Sequence, residues 1–123
     1  MARSTGHEPD TIVRSTRAVG ETVILELAGE VDLHTVEALR AGISEGIDAG
    51  ARALVVDLSG VTLIDSSGLG ALVGGFRRLH ERGGDLVVVC CDPSIRKVFE
   101  ITLLDGVFVI VGSLREAEEH VAL

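Results

Sequence analysis

A chain of 123 residues has room for one compact domain and not for two ordinary ones, and its apolar fraction of 46% supplies a core. The net charge of −8, with three Phe and neither Trp nor Tyr, argues against nucleic acid as a partner, because phosphate backbones demand a positive footprint and single strands need aromatic stacking platforms. The same charge argues against an anionic membrane surface.

Met1–Asp10 reads MARSTGHEPD, polar throughout, with no apolar core of a signal peptide. The densest apolar runs, Leu86–Cys91 and Val107–Val111, are too short to span a bilayer. A soluble, cytoplasmic protein is expected. Cys90 and Cys91 are adjacent, so on a strand they point to opposite faces and pairing them would strain the chain. One thiol in the core and one near the opposite face, in a reducing compartment, is the expectation.

Residues 1–10 read as a flexible tail and residues 11–123 as the domain. Ile12–Ala18 and Thr22–Ala28 are predicted strands joined by the turn Val19-Gly20-Glu21, together a hairpin. Gly29–Thr35, GEVDLHT, reads as a polar connection. Val36, Leu39, Ile43 and Ile47 then recur at helical spacing, with Glu37 at the positive end of the helix and Gly50 as its stop. Ala53–Leu58, ALVVDL, has the nearly continuous apolar character of a strand covered on both faces, and Ser59–Ile64 leads on from it.

Leu69, Leu72, Val73, Phe76 and Leu79 form the clearest helical stripe, ended by Gly83-Gly84. Arg77, Arg78 and Arg82 lie off that stripe and read as solvated charge. Gly74 and Gly75 weaken the helix and point either to close packing or to a partner groove. Asp85–Cys90 is a second interior strand. Asp92-Pro93-Ser94 opens a helix whose Ile95, Val98, Phe99 and Thr102 or Leu103 face inward, while Lys97, the only lysine, faces out. Val107–Val111 is a last strand, and Ser113 with Glu116 has the spacing of a capping box before a last helix. The order β-β-α-β-α-β-α-β-α implies an α/β single domain with a mixed, mostly parallel central sheet packed with helices and an antiparallel hairpin at one edge.

The segment richest in chemistry is Leu63-Ile64-Asp65-Ser66-Ser67-Gly68-Leu69-Gly70. Two hydroxyls follow a carboxylate at the point where a strand gives way to a helix, whose N-terminus offers free N–H groups and partial positive charge. A phosphate is welcome at such a place. Gly68 and Gly70 carry no side chains, which predicts that another molecule can approach closely. The plainest alternative is that Asp65, Ser66 or Ser67 caps the helix. Spacing does not choose between Ser66 and Ser67 as an acceptor.

The blocks Gly29-Glu30-Val31-Asp32-Leu33-His34-Thr35, Leu54-Val55-Val56-Asp57-Leu58, Asp65-Ser66-Ser67-Gly68-Leu69-Gly70 and Asp92-Pro93-Ser94-Ile95-Arg96-Lys97-Val98-Phe99 occur in this order. That series resembles the anti-sigma factor antagonist family, the single-domain members of the STAS superfamily, from about Thr22 to the end. The resemblance implies a STAS-like fold and Ser66 as phosphoacceptor, with Ser67 as second choice. It implies an anti-sigma factor partner that is itself a serine kinase using ATP, and a PP2C-type phosphatase that reverses the modification. The unphosphorylated form would bind the anti-sigma factor and free the sigma factor. The implied partner surface comprises Glu30, Asp32, Thr35, Asp65, Ser67, Gly68 and Gly70. No cofactor, metal or catalytic residue of this chain is implied.

Three other functions are weighed. A serine hydrolase needs a base beside the serine, and His80 and His120 are the only candidates. A response-regulator receiver needs a lysine after the fifth strand, whereas Lys97 falls in a helical stretch before the last one. A STAS subunit of another regulatory or lipid-transport complex, without phospho-switching, would share the fold. Asp32 reads equally as a partner contact or as a loop acid before a helix, and His34 as a solvated loop residue.

Overall fold

The strands β1 (Val13–Val19) and β2 (Thr22–Val31) form the predicted hairpin, paired antiparallel with Val19 opposite Thr22. Helix α1 (Val36–Asp48) then leads to β3 (Ala53–Ile64), α2 (Ser66–Glu81) and β4 (Asp85–Val89). Helix α3 (Pro93–Ile101), a 3₁₀ turn (Leu104–Gly106), β5 (Val109–Val111) and α4 (Leu114–Val121) complete the chain. The structure is a computed structural model that describes residues 11–121, so the tail expected over residues 1–10 lies outside the described residues.

The sheet order is β1-β2-β3-β4-β5, and every pairing after the hairpin is parallel. Each new strand is added on the same side of the last. Right-handed crossovers laid down in one direction put their helices on one face. Leu39, Ile43 and Ile47 of α1, Leu69, Leu72 and Leu79 of α2, and Ile95 and Phe99 of α3 accordingly share one core with Leu25, Leu54, Val56, Leu86 and Val88 of the sheet. Among the described residues the opposite face is covered by α4 alone, where Ala117 packs with Ile24, Val55, Val87 and Val89. A receiver fold places its first strand inside the sheet and helices on both faces at a topological switch point. The stepwise order here has no such point.

All three phenylalanines are spent inside this architecture. Phe108 stands edge-on to Phe76 and to Phe99, with centroids 5.8 and 6.0 Å apart, which ties α2 and α3 to the approach of β5. Phe108 turns into the core, so the last strand starts at Val109 rather than at the predicted Val107. Leu103 corrects a second expectation. It lies outside the core, 77% exposed, in the left-handed region at φ 65°, and Thr102 beside it is exposed too. The inward positions of α3 are Ile95 and Phe99, with Val98 half-buried.

Two of the three arginines read as solvated charge have structural partners. Arg78 donates to Ser44 Oγ at 3.0 Å and pairs with Asp48 at 3.3 Å. Arg82 donates to the Ile47 carbonyl at 3.1 Å, satisfying one of the open acceptors at the end of α1. Gly75 explains why the two helices pack so closely, since a Cβ there would lie 2.9 Å from Ile43. Gly74 meets nothing within 4 Å. The capping box of α4 is shifted by one residue: Ser113 Oγ accepts from the Glu116 N–H, and Glu116 Oε1 accepts from Gly112 N–H instead of from Ser113.

Candidate functional site

The strands β2 and β3 are longer than predicted, and this positions the site. The stretch expected to be a loop from Gly29 stays paired, with Gly29 opposite Val61, Glu30 opposite Leu63 and Val31 opposite Ile64. Register shifts between Glu26 and Ala28 and between Gly29 and Glu30 absorb the extra residues. The pairing of β3 with β4 ends at Asp57, so the ends of β2 and β3 project as a two-stranded ribbon. The polar composition suits that ribbon: Glu30, Ser59, Gly60 and Thr62 face solvent while Val31, Val61 and Ile64 hold the core side.

Both sequence blocks sit at the tip of this ribbon. Asp32 follows Val31 and Asp65 follows its partner Ile64, on strands with a spacing of about 4.8 Å. The Asp65 N–H donates to the Val31 carbonyl at 3.1 Å, which locks the two turns together.

Each aspartate organises the turn it stands in. Asp32 Oδ1 accepts from His34 N–H at 2.9 Å and from Thr35 N–H at 3.2 Å. Thr35 Oγ1 donates to the Glu30 carbonyl at 2.8 Å and accepts from Asp32 N–H at 3.0 Å. The two side chains thus build the bend that starts α1, with Thr35 as its N-cap. His34 is exposed, as expected. Asp65 is the N-cap of α2, its Oδ1 accepting from Ser67 N–H at 2.8 Å and from Gly68 N–H at 3.3 Å. Leu69 N–H goes to the Asp65 carbonyl at 3.0 Å.

Capping and hydroxyl presentation are therefore divided among different residues. Ser66 is the first residue of α2, exposed, and Ser67 is half-buried. Neither hydroxyl makes a hydrogen bond among the described residues, and the cap is a carboxylate. One turn further on, Gly70 is exposed with open space around it. Gly68 corrects the expectation that its bare backbone opens the surface. It is buried, and a Cβ there would lie 2.7 Å from Val31 and 2.8 Å from Ile64. Its role is to let α2 start directly on the strand ends.

Two side chains at the site escaped the sequence reading. Leu33, inside the polar block, is 70% exposed, and Leu63, opposite Glu30, is 43% exposed. Both add exposed apolar area to an otherwise polar rim, which a protein partner can bury. Leucine in an otherwise polar loop was the available signal. A cleft of about 770 Å³, lined by Val19, Glu21, Arg52, Asp85 and His120, lies at the other end of the sheet from this rim.

Neither His80 nor His120, the two candidate bases, stands beside Ser66. His80 lies about four turns further along α2, stacked on Phe76. His120 is bonded to Asp85, 3.1 Å away, at the start of β4 and thus at the opposite end of the sheet. Cys90 is buried and Cys91 exposed, as expected, although the strand predicted to reach Cys90 ends at Val89 and both lie just past it. Burial pushes the Cys90 thiol above its ordinary range, partly offset by its hydrogen bond to the backbone at Asp92 and by Arg96. Among the described residues no helix is long and apolar enough to cross a membrane.

Comparison with known proteins agrees with this geometry. The STAS domain family matches residues 14–117. An anti-sigma F factor antagonist of Lysinibacillus sphaericus is 39% identical over 83 residues, which cover 67% of this chain and 71% of that protein. The crystal structure of an anti-sigma factor antagonist from Mycobacterium paratuberculosis superposes with a TM-score of 0.83 at 30% identity, covering 93% of this chain and 97% of the other. The Bacillus cell fate determinant SpoIIAA, solved in its phosphorylated form, is 34% identical with a TM-score of 0.69, covering 87% of this chain and 97% of that one. This chain belongs to the STAS domain family, in which the relatives just described include anti-sigma factor antagonists.

Proposed function

We propose that this chain is an anti-sigma factor antagonist whose binding is switched by phosphorylation of Ser66. In the unphosphorylated state it holds a serine-kinase anti-sigma factor and frees the sigma factor. A PP2C-type phosphatase restores that state. One observation carries the reading: the Ser66 hydroxyl is exposed and free of intramolecular bonds among the described residues, on a rim where both sequence blocks converge. The phosphorylated form of the SpoIIAA relative supports the choice of a phospho-switch.

The chemistry asks little of this chain. The Ser66 oxygen attacks the γ-phosphorus of ATP, the bond from that phosphorus to ADP breaks, and the hydroxyl proton passes to a base on the kinase. Reversal is hydrolysis: water attacks phosphorus, inorganic phosphate leaves and the serine hydroxyl is regenerated. The substrate's task is to present an oxygen in line with the nucleotide on a rigid platform, which an N1 serine on a capped helix does. Once phosphorylated, the site carries a charge of about −1.5 to −2. It then faces the phosphates of a bound nucleotide and the carboxylates Glu30, Asp32 and Asp65 of its own rim. A penalty of about 1.4 kcal/mol already weakens binding tenfold.

The deciding experiment incubates the protein with ATP and each serine-kinase anti-sigma factor of its own genome, and then maps phosphate by mass spectrometry. The expected result is phosphate on Ser66, absent from Ser66→Ala and retained by Ser67→Ala, together with weaker kinase binding by the modified form. Phosphate confined to Ser67 overturns the site. Absence of both labelling and binding with every kinase overturns the function and leaves a STAS subunit without phospho-switching.

A further inference from the structure

A helix that begins with a phosphorylated serine ordinarily takes the phosphate onto its own N–H groups. Helix α2 has little to offer. Of the N–H groups at its start, that of Asp65 is given to Val31, that of Leu69 to the Asp65 carbonyl, and those of Ser67 and Gly68 to the Asp65 carboxylate. Among the described residues only the Ser66 N–H lacks a partner.

We propose that Asp65 is a positioning residue of the switch: by holding the Ser67 and Gly68 N–H groups it denies the helix N-terminus to a phosphate on Ser66 and leaves that phosphate projecting into solvent. This rests on the reading of Ser66 as acceptor and adds why the modification acts outward. A phosphate bound by its own helix would be partly neutralised and turned away from the partner. A phosphate excluded from the helix keeps its full charge on the interface and stays open to the phosphatase. The exclusion has two components. The carboxylate occupies the donors, and its charge repels a second anion brought onto the same helix start. Displacing Asp65 would cost the helix its cap, and the phosphate would have to recover that energy before gaining anything. The fold then has no reason to rearrange on phosphorylation, since no backbone group changes its partner.

The test installs phosphoserine at position 66 during translation of the full chain, so it does not depend on finding a kinase. Failure of the acceptor assignment shows up separately, in the labelling of Ser66→Ala. Three proteins are compared: the natural Asp65, Asp65→Asn and Asp65→Ala. The readouts are the amide ¹H–¹⁵N shifts of Ser67 and Gly68 and the ³¹P titration of the phosphate. With Asp65 in place the two amides should keep their positions as the phosphate titrates through its second pKa of about 6. In Asp65→Ala both amides should move downfield with that titration, and the phosphate pKa should fall, because freed donors favour the dianion. Asp65→Asn keeps the accepting oxygen and removes the charge, so its amides should stay in place while the phosphate pKa falls less. Should Asp65→Ala not fold, the natural protein and Asp65→Asn still decide the matter. Amides of Ser67 and Gly68 that follow the phosphate in the Asp65 protein would mean that the phosphate displaces the carboxylate, and would overturn the proposal.

Discussion

Asp65 gives its backbone N–H to the Val31 carbonyl and its carboxylate to the first turn of α2, so one residue fastens the acceptor helix to the end of the neighbouring strand. Removing the carboxylate therefore acts on stability as well as on the switch. Asp65→Ala is expected to lose about 1 kcal/mol in urea unfolding, while Asp65→Ser keeps most of it. An Ala variant as stable as the natural protein would show that the cap contributes nothing.

Gly68 and Gly70 are two residues apart and are expected to respond in opposite ways. Gly68→Ala forces a methyl against Val31 and Ile64 and should cost about 1–3 kcal/mol. Gly70→Ala has open space around it and should gain up to about 1 kcal/mol from helix propensity. If the partner lies close along this face, the stabilised Gly70→Ala protein will still bind it less tightly, which calorimetric titration against the cognate anti-sigma factor reads directly.

Leu33 and Leu63 are the two exposed leucines of the rim. Leu33→Ser and Leu63→Ser should leave the thermal midpoint unchanged, because neither side chain belongs to the core. Each should weaken partner binding by about tenfold, or about 1.4 kcal/mol. Unchanged affinity in both variants would move the interface away from the ribbon tip.

Leu103 holds a left-handed backbone with its side chain in solvent, a conformation that costs an ordinary residue about 1–2 kcal/mol. Glycine adopts it freely but loses more chain entropy on folding. Leu103→Gly should raise stability in urea by about 0.5–1 kcal/mol net. A loss would show that Leu103 makes contacts that outweigh its backbone strain.

The two thiols should differ in reactivity. Cys91 is exposed, whereas burial keeps Cys90 in its neutral, protected form. A disulfide reagent at mildly alkaline pH should modify one thiol per chain rapidly, and the second only on addition of denaturant. Cys91→Ser should abolish the fast phase.

The residue pattern alone determined a good deal. Alternation, helical spacing, continuous apolar runs and capping residues placed both hairpin strands, the helices and the two interior strands, because such patterns are local properties that burial and capping impose along the chain. The order of those elements, with the rule of right-handed crossovers, implied the mixed sheet. The blocks around Asp32 and Ser66 were legible as polar interruptions between apolar runs.

What remained was decided by contacts between distant segments. Glu30 and Leu63 are strand residues only because each pairs with the other, which neither segment's composition announces. Gly68 reads as an opening in the surface until Val31 and Ile64 are brought against it. Arg78 and Arg82 are exposed as expected, but their bonds to α1 exist only once that helix is laid beside them. Ser66 and Ser67 share the same local chemistry. Only the assembled turn, in which Asp65 supplies the cap, leaves the Ser66 hydroxyl exposed on the rim beside Asp32, because hydrogen bonds across strand ends are set by tertiary packing and not by spacing.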